Sequence, residues 1–130
     1  DVVVVEGAGG WLAPLSASAC MEDLARKLGA PVVLVVGMRL GCLNHALLTA
    51  RAISQCGVPF AGWVANHIDP AMRDCQDNLD TLWQKLAAPC LGQIAHGSDA
   101  ENLALAWDRL AAGLKQSAAL IPTDSAVGLN

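Results

Sequence analysis

Two stretches of this chain do not alternate between apolar and polar residues: PVVLVVG at positions 31–37 and FAGWVAN at positions 60–66. A strand with one solvated face alternates, whereas a run that stays apolar reads as a strand buried on both faces, the condition of strands in a helix-covered parallel sheet. DVVVVE at 1–6 reads the same way, and PCLGQIA at 89–95 as a shorter strand of this kind. The segments between and after them have helical periodicity. Residues 18–28 place Met21, Leu24, Ala25 and Leu28 on one face, with Ser18 and Glu22 as a start signal and Gly29 as a stop. Residues 41–55 align Ala46, Leu47, Ala50 and Ile53, and residues 72–86 show a polar face of Arg73, Asp74, Asp77, Asp80 and Gln84. Residues 102–115 align Leu103, Ala106, Leu110 and Leu114. The order β-α-β-α-β-α-β-α predicts an α/β fold, a mostly parallel sheet with helices on both faces in three layers. One domain over 1–116 and a loose tail over 117–130 follow from this reading. A strand that starts at position 1 has no lead-in, so the chain is expected to be the later part of a longer domain.

Composition supports a packed domain and narrows its partners. At 54% hydrophobic and 15% charged residues, the 130-residue chain can bury a sizeable core. A net charge of −4 argues against a polybasic nucleic-acid or membrane-surface binder. No apolar run approaches the roughly 20 residues a membrane span requires. The five cysteines, Cys20, Cys42, Cys56, Cys75 and Cys90, form no CxxC pair and read as reduced thiols of a cytoplasmic protein.

In parallel α/β sheets ligands gather beyond the carboxyl ends of the strands. The segments expected there are Glu6-Gly7-Ala8-Gly9-Gly10, 37–45, Asn66-His67-Ile68-Asp69-Pro70 and Ala95-His96-Gly97-Ser98-Asp99. Glu6 admits two readings, a capping or ion-paired glutamate and a Mg²⁺ ligand; the adjacent glycines favour an approaching phosphate or substrate. Gly41-Cys42-Leu43-Asn44-His45 opens a helix, whose free N–H groups suit a carboxylate or phosphate, or stand as a simple glycine-led cap. Cys42 as nucleophile and His45 as base are weaker readings, because no supporting constellation surrounds them. Asn66 is either a turn residue or an amide that reads an adenine edge. His67, Asp69 and His96 lack metal-ligand spacing. Trp11, Trp63, Trp83 and Trp107 read as packing residues. The phosphate-binding pattern GxxxxGK(S/T) does not occur, and none of the lysines follows a glycine.

VVVVEGAGGWLAPL, PVVLVVGMRLGCLNHALLTA and GVPFAGWVANHIDP, in this order and spacing, closely resemble the dethiobiotin synthetases, over residues 1 to about 102. The resemblance implies a P-loop NTPase-like fold and an ATP-dependent ligase of biotin biosynthesis, homodimeric, with sites at the subunit interface. It implies closure of a cyclic urea on 7,8-diaminononanoate (7,8-diaminopelargonate) with CO2, ATP and Mg²⁺. One amine takes up CO2 as a carbamate, ATP phosphorylates it to a carbamic-phosphoric anhydride, and the second amine displaces phosphate. Carried over, Glu6 looks like the Mg²⁺ ligand, and Gly7, Ala8 and Gly9 like the loop beside the ATP phosphates. Asn66 looks like the adenine-reading amide, with His67 beside it. Ala95, His96, Gly97 and Glu101 match the loop over the nucleoside, although they depart from the Pro-aromatic-Leu pattern of the family and are one residue shorter. Gly41, Cys42 and Asn44 look like the helix start that binds the substrate carboxylate, and Arg39 stands where a lysine is expected. The resemblance places no catalytic side chain in this stretch; the family's P-loop and catalytic lysines precede the VEGAGG strand, so these 130 residues alone are expected to be inactive. The competing readings are a non-catalytic module of the same fold and a related P-loop-like synthetase or ATPase.

Overall fold

The computed structural model describes residues 3–7, 9–98 and 111–112. Helix α1 (Met21–Leu28) leads into strand β1 (Val32–Gly37), helix α2 (Cys42–Gln55), strand β2 (Phe60–Asn66), helix α3 (Cys75–Lys85) and strand β3 (Cys90–Ile94). The three strands form one parallel sheet in the order β1-β2-β3. Both crossovers step in the same direction, and right-handed crossovers then place α2 and α3 on one face. The two helices touch each other, as that geometry requires.

The core lies between this face and the helices. Val36, Trp63 and Ala65 from the sheet meet Cys42, Ala46 and Ala50 of α2 and Leu79 and Leu82 of α3, with Met38 and Leu86 closing the ends. Strand alternation sends Val35 to the opposite face, where it is 58% exposed. β1 is an edge strand of the sheet among the described residues. Residues 111 and 112 are helical; the rest of the helix expected over 102–115, with Trp107, and the tail at 117–130 lie outside the described residues.

One expectation fails. Residues 3–7 form no strand, and Val3, Val4 and Val5 are 86%, 64% and 57% exposed. A parallel strand exists only when neighbours take its N–H and C=O groups, and this segment pairs with none among the described residues. Composition records that a segment wants to be buried, not whether a partner is present.

α1 begins three residues later than the sequence pattern indicates. Ser18 plays no capping role; Cys20 is the N-cap, and its backbone N–H donates to the Asp23 carboxylate at 2.8 Å. The Cys20 thiol donates to the same oxygen at 3.3 Å. These two bonds, backbone first, hold the Asp23 carboxyl below its ordinary 3.8, with Arg26 and Lys27 adding a smaller pull. A depressed folded pKa contributes stability above the unfolded value, and that contribution is lost as pH falls through the folded one. Acidification below 3.8 is therefore expected to accelerate hydrogen exchange at the Cys20 N–H before the sheet amides respond. Simultaneous loss of protection at both would show that Asp23 does not hold this cap.

Candidate functional site

The carboxyl ends of β1, β2 and β3 are stitched together by backbone bonds. The Asn66 carbonyl accepts the N–H of Met38 at 2.7 Å and of Ile68 at 2.9 Å, and the His67 N–H donates to Ile94 O at 2.9 Å. This fixes the starts of the loops after each strand along one edge. The half-buried Asn66 side chain has no hydrogen-bond partner among the described residues, so both faces of its amide are available to a ligand. Asp69 behaves as a turn residue, its carboxylate accepting the Ala71 N–H at 2.9 Å. The turn after β3 runs through exposed Ala95, His96 and Gly97, and closes when Ser98 donates N–H and Oγ–H to the Ala95 carbonyl.

The fourth feature of this edge is the start of α2. Gly41 caps the helix at φ +90°, a left-handed conformation that disfavours any side chain. The Cys42 N–H donates to Arg39 O and the His45 N–H to Gly41 O, while the Leu43 and Asn44 N–H groups have no acceptor among the described residues. The Cys42 side chain is 3% exposed and faces the core. Of the three residues expected to hold a carboxylate here, Gly41 and Asn44 therefore face solvent, and Cys42 is a packing residue. The same burial removes Cys42 as a nucleophile. His45 is exposed and makes no side-chain hydrogen bond among the described residues.

The glycine-rich corner stands apart. No hydrogen bond or ion pair joins Glu6, Gly7 or Gly9 to the loops at 37–41, 66–69 or 95–98 among the described residues, and Glu6 is exposed. Gly7 lies against Met21, where a Cβ would come within 2.5 Å of its terminal methyl carbon. Gly9 holds φ +100°. Gly9 thus has a local backbone reason, the methionine end beside Gly7 can swing aside, and Gly10 opens onto empty space. The N–H groups of Met21 and Glu22, at the start of α1, are taken by the carbonyls of Ala13 and Trp11. Ala8 and Glu101 lie outside the described residues.

No group of three or more His, Cys, Asp or Glu side chains is gathered for a metal among the described residues. Glu6 is a lone carboxylate, which fits Mg²⁺ only in its common protein mode of one or two carboxylates completed by water and phosphate. Sequence inspection passes over Gln93 and Cys75, which hold the two nitrogens of the His67 ring at 3.0 and 3.4 Å. They stand 26 and 8 residues from His67, and no local motif links them.

A three-stranded parallel sheet with helices between its strands, and polar loops along one carboxyl edge, has the architecture of part of a P-loop-like α/β domain. Residues 1–103 match the AAA domain family model, and the chain belongs to that family. It resembles proteins named ATP-dependent dethiobiotin synthetase BioD. One from Pseudomonas paraeruginosa is 56% identical over 106 residues, covering 82% of this chain and 46% of the relative. Those from Xanthomonas oryzae pv. oryzae and Xanthomonas campestris pv. campestris are 56% and 57% identical over the same share of this chain and 47% of their own length. The chain thus spans just under half the length of these curated relatives.

Proposed function

We propose that this chain is part of an ATP- and Mg²⁺-dependent dethiobiotin synthetase, the ligase that closes the ureido ring on 7,8-diaminononanoate with CO2. The observation that carries the reading is the identity of 56% across 82% of the chain with relatives of that name. The geometry supports it at two places. Asn66 is an amide with no side-chain partner among the described residues, on a strand end, suited to paired hydrogen bonds with the N6 and N7 edge of adenine. The start of α2 offers the Leu43 and Asn44 N–H groups and the positive end of a 14-residue helix dipole to the substrate carboxylate. Gly41 gives the close approach; His67, His96 and the 95–97 turn border the nucleoside.

In this reading Glu6 would hold Mg²⁺ as one of few protein ligands, and Gly7, Ala8 and Gly9 would lie along the phosphates. Bound there, the ion would supply charge neutralisation for the phosphates during phosphoryl transfer. The described residues orient and bind; they supply no acid, base or nucleophile to the ring closure. The enzyme would be a cytoplasmic homodimer with subunits meeting at the active sites.

The test is formation of dethiobiotin from diaminononanoate, bicarbonate and ATP by the full-length protein that carries the P-loop half, read by mass spectrometry, alongside Asn66→Ala in that same protein; residues 1–130 alone are expected to form none. The expected result is product from the parent and a KM for ATP raised about tenfold in Asn66→Ala, in line with roughly 1–3 kcal/mol for a bidentate base contact. An unchanged KM removes Asn66 from adenine recognition. Absence of product from a folded, full-length protein overturns the synthetase reading and favours the non-catalytic module or a related ATPase.

A further inference from the structure

Four of the five cysteines are buried or have their sulfur engaged by an oxygen. Cys42 is buried in the core. Cys56 donates its S–H to Ile53 O at 3.1 Å, and Cys90 to Gly92 O at 3.5 Å. Cys20 donates to the Asp23 carboxylate, which would repel a thiolate. Cys75 alone faces a base: its Sγ is 3.4 Å from Nδ1 of His67. The other ring nitrogen, Nε2, is 3.0 Å from Oε1 of Gln93. An amide oxygen only accepts, so Nε2 carries the ring hydrogen and Nδ1 presents its lone pair to the thiol. Nucleophile, base and orienting group therefore stand in a row, each within hydrogen-bond reach of the next. Cys75 is half-buried at the first position of α3, reachable by a small reagent.

We propose that Cys75, with His67 as its base and Gln93 as the group that positions the ring, is a covalent-modification site for small soft electrophiles. In the step, Sγ forms a bond to the electrophilic carbon, the leaving group departs with its electron pair, and the thiol proton passes to Nδ1. The imidazolium then returns that proton to solvent. With iodoacetamide the product is the carbamidomethyl thioether and the leaving group is iodide.

The test is limited alkylation of the folded protein with iodoacetamide, each cysteine being quantified by peptide mass spectrometry. Cys75 is expected to react about tenfold faster than Cys20, Cys56 and Cys90, a modest share of what a positioned base can give. Gln93 is exposed, so its variants are expected to fold. Gln93→Leu removes the acceptor that fixes the ring and should erase most of the advantage. Gln93→Glu keeps an acceptor in place and should preserve it, a distinction that a purely structural role would not produce. Equal rates at Cys75 and Cys56 in the parent would overturn the proposal, as would identical Cys75 rates in Gln93→Leu and Gln93→Glu.

Discussion

Trp63→Ala is expected to cost about 3–5 kcal/mol and leave little folded protein at physiological temperature. Trp63 lies at the centre of β2, is fully buried, and heads the largest side chains of the core. It pairs with Leu34 and Cys90 on the flanking strands and belongs to the core cluster that includes residues of α2 and α3. Its indole N–H is buried without a partner among the described residues. An orphaned donor costs about 1–3 kcal/mol, so the side chain stabilises by volume and pays a polar penalty for its shape. Trp63→Phe is therefore expected to lose far less than Trp63→Ala, because the cavity it opens is offset by removal of the orphan. Urea denaturation with a common slope measures both. A Trp63→Phe loss as large as that of Trp63→Ala would mean that the N–H is satisfied.

Gly62→Ala is expected to destabilise by about 1–3 kcal/mol, the range for an overpacked interior. Gly62 sits on the other face of the same strand, beneath Leu91. A Cβ there would fall 2.5 Å from Leu91 Cγ and 2.8 Å from the Pro89 carbonyl oxygen. The leucine can rotate, but the carbonyl cannot move freely, because it accepts the Trp63 N–H that begins the β2–β3 pairing. Leu91→Ala in the same chain should recover part of the loss and not all of it. Gly92→Ala is the control: its Cβ would meet nothing within 4 Å, and little change is expected. Melting temperatures separate these cases, since about 1 kcal/mol corresponds to roughly 4 °C or more in a domain of this size. A Gly62→Ala melting point equal to that of Gly92→Ala would show that the strands relax at no cost.

Much of this architecture was legible before any coordinates. The apolar runs at 31–37, 60–66 and 89–95 became β1, β2 and β3 within a residue at each end, and the helix at 41–55 became α2. Short, mostly apolar runs leave such segments few alternatives, although only β2 is buried along both faces; Val35 of β1 and Gln93 of β3 are exposed. Helix starts were less legible, because side-chain bonding decides them. Asp23 reaches back to Cys20, so α1 begins after Cys20 rather than at Ser18. The Asx turn at Asp69 and the left-handed Asp74, at φ 55°, hold off the start of α3 until Cys75, and Met72 packs against the core from the turn.

The candidate site divides along the same line. Asn66 and Gly41 were visible as residues at strand and helix ends, because chain order alone brings the loops of a parallel sheet to one edge. That Cys42 turns inward follows from its helical phase with Ala46 and Ala50, which the packing of α2 on β1 and β2 settled. The sequence by itself determined the alternating elements, the parallel sheet and the edge where ligands gather, since periodicity and chirality act within and between neighbouring segments. The tertiary structure alone decided that residues 3–7 pair with none of the described residues, that Gly62 lies under Leu91, and that Cys75, His67 and Gln93 meet. Each of these depends on register between distant segments, and a shift of one residue in a strand would turn every such side chain to the other face.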